Sequence, residues 1–193
     1  MVGLSGEEFY KHFFCRFQDY VKADRKRYDK AVKDPEWTQY TKGGFLNEFA
    51  KALGFDKIKT EGIHGIDLHW ERSSDGMAVA IEHENNIDLI WDDEVPDLLR
   101  AEAPLKVLIT YVKDAEFPGR SIADKLFALL KEKKFSKEFL LILGTWSMRE
   151  PTDWTAYLLR PELTLKNLVI CSTMLEAESK PQAKAWITRK RNN

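Results

Sequence analysis

The sequence predicts an α/β domain in which helices cover both faces of a mixed central sheet. Three observations lead there. LKVLITYV at 105–112 and FLLILGTW at 139–146 are apolar at nearly every position, the mark of strands buried on both faces. Between 65 and 84 the pattern changes to period two on either side of SSDG, whose residues favour a turn. Segments with helical spacing lie before, between and after these runs, and one sheet layered by helices buries all of them.

Taken in order, residues 6–33 predict one long helix, because Phe9, Phe13, Phe17 and Val21 recur every four positions. Asp34-Pro35 ends it, since a residue before proline is steered away from helical geometry. A second helix over 44–53 carries the stripe Phe45, Leu46, Phe49, Ala50 and Leu53, with Gly54 at the C-cap. GIDLHWER at 65–72 alternates, with Ile66, Leu68 and Trp70 on one side and Asp67, His69 and Glu71 on the other. MAVAIEHE at 77–84 is its hairpin partner. Residues 86–101 predict a helix that Pro96 kinks or breaks. A helix over 121–134, capped by Ser121, separates the two apolar strands. TAYLLR at 155–160 and LVICS at 168–172 add strands at the C-terminal end.

Composition narrows the function classes. The 193 residues fit a single domain, with 1–35 as a helical extension, 44–146 as the core and 180–193 as a basic tail. That extension serves either as a dimer element or as a cover for the sheet. Cys15 and Cys171 form neither a C-x-x-C pair nor a His/Cys cluster, which argues against structural zinc and a disulfide framework. A reducing cytoplasmic setting follows, and no signal-peptide pattern or membrane-length apolar run is present. The formal charge of −1 gives no overall basic excess, although Lys180, Lys184, Arg189, Lys190 and Arg191 gather in the tail. No Walker, G-x-G-x-x-G or G-x-S-x-G motif occurs. His64 and His69 flank Asp67 without a metal-ligating H-x-x-x-H spacing, and Asp92-Asp93-Glu94 reads as the solvated start of its helix.

The chemistry-bearing feature is IEHEN at 81–85. Residues two apart on a strand share a face, so Glu82 and Glu84 point one way and His83 the other. Their positions differ by roughly 7 Å along the strand. At that spacing two carboxylates repel by about 2 kcal/mol at an intermediate effective dielectric. Two glutamates on a wet strand face need no explanation, but Glu82 follows the small, apolar MAVAI, which places it inside the sheet. The hairpin brings Asp67 within reach, and three acids from two adjacent strands suit Mg²⁺ or Mn²⁺.

On these residues the chain resembles the PD-(D/E)XK, or restriction-endonuclease-like, superfamily. That family sets one acid on a hairpin strand and a (D/E)-x-K pair on the next, in the order α-β-β-β-α-β. The resemblance spans 44–146, with GID supplying Asp67 and IEHE supplying Glu82-His83-Glu84; counted strictly, the three core strands are 65–72, 77–84 and 105–112. It departs at Ile66, where the family often has proline, and at Glu84, which stands in the lysine position. It implies metal-dependent phosphodiester hydrolysis of DNA or RNA with catalytic Asp67, Glu82 and Glu84. Asp67, Glu82 and the His83 backbone carbonyl would hold Mg²⁺ or Mn²⁺, with Glu48 and Lys106 as additional candidates. By analogy the partners are nucleic acid and a second copy in a homodimer. The alternative is the same fold without catalysis, a binding or scaffolding module, which Glu84 and the balanced charge both favour.

Overall fold

The computed structural model of the chain describes residues 4–32, 36–60, 65–72, 76–113, 119–146, 153–160 and 165–168. The basic tail, Cys171, His64, the turn residues 73–75 and most of the expected strand 168–172 lie outside them.

Helices α1 (Gly6–Ala23) and α2 (Arg25–Ala31) open the fold. A π-helix (Gln39–Phe45) runs into α3 (Leu46–Ala52). Strands β1 (Lys57–Thr60), β2 (Leu68–Arg72) and β3 (Gly76–Glu84) form an antiparallel meander. A 3₁₀ turn (Leu89–Trp91) and α4 (Glu94–Arg100) then cross to β4 (Leu105–Lys113), which pairs parallel with β3. Helix α5 (Gly119–Glu132) leads to β5 (Glu138–Trp146), parallel to β4. Strands β6 (Asp153–Leu159) and β7 (Leu165–Leu168) close an antiparallel end. The seven strands lie in sequence order across one mixed sheet, so the α/β class and the covered mixed sheet follow the expectation.

The two faces have separate cores. On one, Phe9, Phe13 and Phe17 of α1 pack with Phe45, Phe49, Trp70, Ile81, Ile109 and Trp154. On the other, Val95 and Leu98 of α4 and Ile122, Leu126 and Leu130 of α5 pack on Ala80, Leu108 and Leu141. Strands β4 and β5 contribute to both cores, which is why their sequences lack polar alternation. No helix among the described residues is long and apolar enough to cross a membrane.

Several expected elements change. The helix expected over 6–33 breaks at Asp24, whose backbone leaves helical geometry (φ −142°) and whose side chain accepts the Arg27 N–H. Asp24 thus caps α2, a role short acidic side chains fill well. The expected N-terminal extension is integral, because α1 carries a large share of one core and Tyr10 donates to the Trp154 carbonyl at 2.8 Å. Residues 86–101 form a 3₁₀ turn and a seven-residue helix rather than one helix. Pro96 does not break it, since it lies in the first turn, where backbone N–H groups lack helical partners anyway. Ser121 lies inside α5 rather than at its cap. Strand β1 is an element that the sequence pattern does not predict. Ile66 joins the α4/α5 core while Leu68 and Trp70 join the other, because β2 begins only at Leu68.

Candidate functional site

A cavity of about 270 Å³ opens where β3 ends, lined by Asp67, Glu82, Glu84, Asp93, Glu94 and Asp97 together with Lys42 and Thr38. Sheet register accounts for the first members. β2 and β3 pair with Leu68 opposite Ile81, so Asp67, one residue before β2, falls level with Glu82. The Asp67 N–H donates to Glu82 Oε2 at 3.2 Å, and the His83 N–H donates to Asp67 Oδ2 at 3.1 Å. A strand residue directs its N–H and C=O to the same edge. The His83 carbonyl therefore leaves β3 toward Asp67 as well.

Glu82 is 3% exposed. Burial, helped by the neighbouring charges of Asp67, Glu94 and Asp97, pushes its pKa up to about 9, so the carboxyl is neutral at pH 7. Glu84 accepts the Asn86 N–H at 2.6 Å. Helix α4 brings the remaining acids. Burial and the Glu84 carboxylate both raise the pKa of Glu94, whose Oε2 is shut off from solvent without a hydrogen bond. Asp97 fills the space beside Gly65, which has φ +80° and where a Cβ would stand 2.6 Å from Asp97 Oδ2. Arg100 pairs with Asp97 from the solvent side.

Among the described residues, Lys42 is the cation that lines the cavity itself. Lys42, from the π-helix, donates to Asp67 Oδ1 and forms a partly buried ion pair. The sequence pattern does not reveal it, nor Asp97, nor that Glu94 turns toward the cavity. A lysine 25 residues before its partner has no spacing signature, and although α4 starts at Glu94 where the acidic run marks it, nothing in that run shows that Glu94 turns toward the cavity.

The other sequence candidates lie elsewhere. Glu48 on α3 is exposed, does not line the cavity, and bears on the Tyr20 hydroxyl. Lys106 is fully buried and does not line the cavity. It stands level with Ala80, one full strand repeat behind Glu82, and donates to the Ala103 carbonyl at 2.9 Å with its ammonium over the Phe135 ring. Burial pushes its pKa down to about 8, aided by Lys137. The His83 ring faces the aromatic core, away from the glutamates, and burial lowers its pKa to about 4. His69 is buried on the same sheet face as Ala80.

The donor chemistry fits a hard divalent cation. Oxygen donors dominate, two acids are partly or wholly buried with raised pKa values, and Lys42 on Asp67 and Arg100 on Asp97 offset only part of the acidic charge. Among the described residues, however, no three His, Cys, Asp or Glu side chains converge tightly enough to ligate a metal ion as they stand. A cation held by Asp67 and Glu82 would depend on the His83 carbonyl for its third protein ligand. Compared with protein-family models, with curated proteins and with solved structures, the chain matches none.

Proposed function

We propose that this cavity is a divalent-cation site for phosphodiester hydrolysis on a restriction-endonuclease-like core. The observation that carries the reading is the pairing of Asp67 with the buried Glu82 at the end of β3, where the Asp67 N–H donates to the Glu82 carboxyl and the His83 N–H donates to the Asp67 carboxylate. The order α3–β1–β2–β3–α4–β4 supports it. With β1 included, that order is the helix, three strands, helix and strand of the family, and the first acid opens the second strand.

In this reading Asp67, Glu82 after loss of its proton, and the His83 carbonyl would hold Mg²⁺ or Mn²⁺. The chemistry such an ion would supply is polarisation of the phosphodiester and a lower pKa for a coordinated water. Glu84, one strand repeat beyond Glu82, would take the proton from the attacking water as its oxygen bonds to phosphorus, while the P–O bond to the leaving nucleotide oxygen breaks and that oxygen takes a proton from solvent. Lys42 supplies the ammonium that position 84 lacks and faces the charge that develops on the phosphate oxygens. Asp67→Ala and Glu82→Ala should each abolish Mg²⁺-dependent cleavage of end-labelled DNA or RNA. Cleavage that persists unchanged in both variants would eliminate the proposal.

The second reading keeps the fold without catalysis, as a binding or scaffolding module. Lys42 favours it, because an ammonium already neutralises Asp67. The two readings divide on cation binding: the module requires none.

A further inference from the structure

Behind the cavity, on the opposite face of the sheet, lie three buried polar side chains that cation and phosphate chemistry leave unused. Thr41, His83 and Tyr111 are each at most 5% exposed. They meet at His83 Nε2, 3.0 Å from Thr41 Oγ1 and 2.8 Å from Tyr111 Oη. Aromatic residues enclose them, with Trp37 and Trp154 both against the Tyr111 ring. A buried polar cluster gains little over an apolar one of equal shape and loses heavily wherever a partner is missing. Here His83 Nδ1 has no hydrogen bond. Packing alone therefore does not explain the choice of residues.

Their connections do. Thr41 belongs to the π-helix and immediately precedes Lys42. Its hydroxyl donates to the Trp37 carbonyl at 2.9 Å, which ties the backbone leading into the π-helix to the residue that meets the imidazole. π-Helical turns are unstable in isolation and persist where something holds them. On the cavity side, the His83 N–H holds Asp67 Oδ2. His83 thus grips both members of the ion pair, Asp67 through its amide and the Lys42 turn through its ring.

We infer that Thr41, the His83 ring and Tyr111 are positioning residues that hold the π-turn so that Lys42 is aimed at Asp67. The inference rests on Lys42 belonging to the proposed site, but its test involves neither metal nor nucleic acid. A failure of cleavage would leave the result standing.

The experiment is lysine-selective reductive methylation of the full chain, quantified peptide by peptide by mass spectrometry. Thr41→Val removes the hydroxyl at nearly constant shape, and Thr41→Ser keeps it. Labelling at Lys42 should rise about fivefold in Thr41→Val, the equivalent of one neutral hydrogen bond. It should rise in Tyr111→Phe and stay near wild type in Thr41→Ser. Lys106, fully buried, reports on the fold as a whole and should remain protected throughout. An unchanged Lys42 rate in Thr41→Val would overturn the inference. So would an equal rise at Lys106, which would mean general loosening rather than a lost aim.

Discussion

Glu82 and Lys106 are both buried on the sheet face that carries α4 and α5, and their charges oppose one another in pH dependence. Glu82 has a folded pKa of about 9 against an ordinary carboxylate value. Its neutral form is favoured in the fold, so its contribution is fully present below the unfolded pKa and is lost as pH rises toward 9. In that window the folded state binds more protons, and stability should fall by roughly 1.4 kcal/mol per pH unit from this group. Glu82→Gln should flatten the slope in urea unfolding followed from pH 5 to 9, and an unchanged slope would refute the assignment. Lys106, with a pKa near 8, works the other way. The unfolded state holds its proton longer, so stability should rise between about pH 8 and the ordinary lysine range near 10.4. Measured in the Glu82→Gln background, that rise should disappear in Lys106→Met.

Among the elements, the π-helix, the end of β3 and α4 together build the site, and each was legible to a different degree. Glu82 and Glu84 on one face of β3, with His83 opposite, followed from strand alternation alone and from the small residues that precede them. Asp67 followed from the hairpin. The π-turn did not, because a widened helix of Gln39–Phe45 has no distinct periodicity and its Gly43-Gly44 pair resembles a helix start. Strand β1 was hidden by being short and largely exposed, so KIKT shows no buried stripe. The seam at Gly65 offers a test at this scale. Gly65→Ala adds a Cβ against Asp97 in a backbone region that alanine tolerates poorly. It should cost about 1–3 kcal/mol in unfolding. Ser5→Ala breaks a complete capping box on α1, remote from the cavity, and should cost about 1 kcal/mol without altering cation binding.

At the scale of the whole molecule, the sheet decides where chemistry can occur. Both faces are closed by helices over two apolar cores. The acidic cavity opens where β3 ends and the chain leaves for α4, so carboxylates from β3 and α4 meet there with Asp67. The class of fold was readable because β4 and β5 must be apolar on both sides to lie in such a sheet. The full acid set was not, because Asp97 and Glu94 enter from a crossover helix whose acidic run marks its start but not the direction of its side chains. A domain built this way should unfold as one unit, and anything bound only by the folded state should raise its melting temperature.

That linkage tests the central claim most directly. Thermal melts of the wild type and of Asp67→Asn should be run side by side at pH 8 in EDTA, in Mg²⁺ and in Mn²⁺. A cation present at about 100 times its Kd adds roughly 2.7 kcal/mol. For a chain of this size that corresponds to a rise of about 5–10 °C. The account predicts that rise in the wild type with Mn²⁺ and its loss in Asp67→Asn. A wild-type melting temperature that does not respond to either metal would contradict a cation site and leave the cavity to a non-catalytic module.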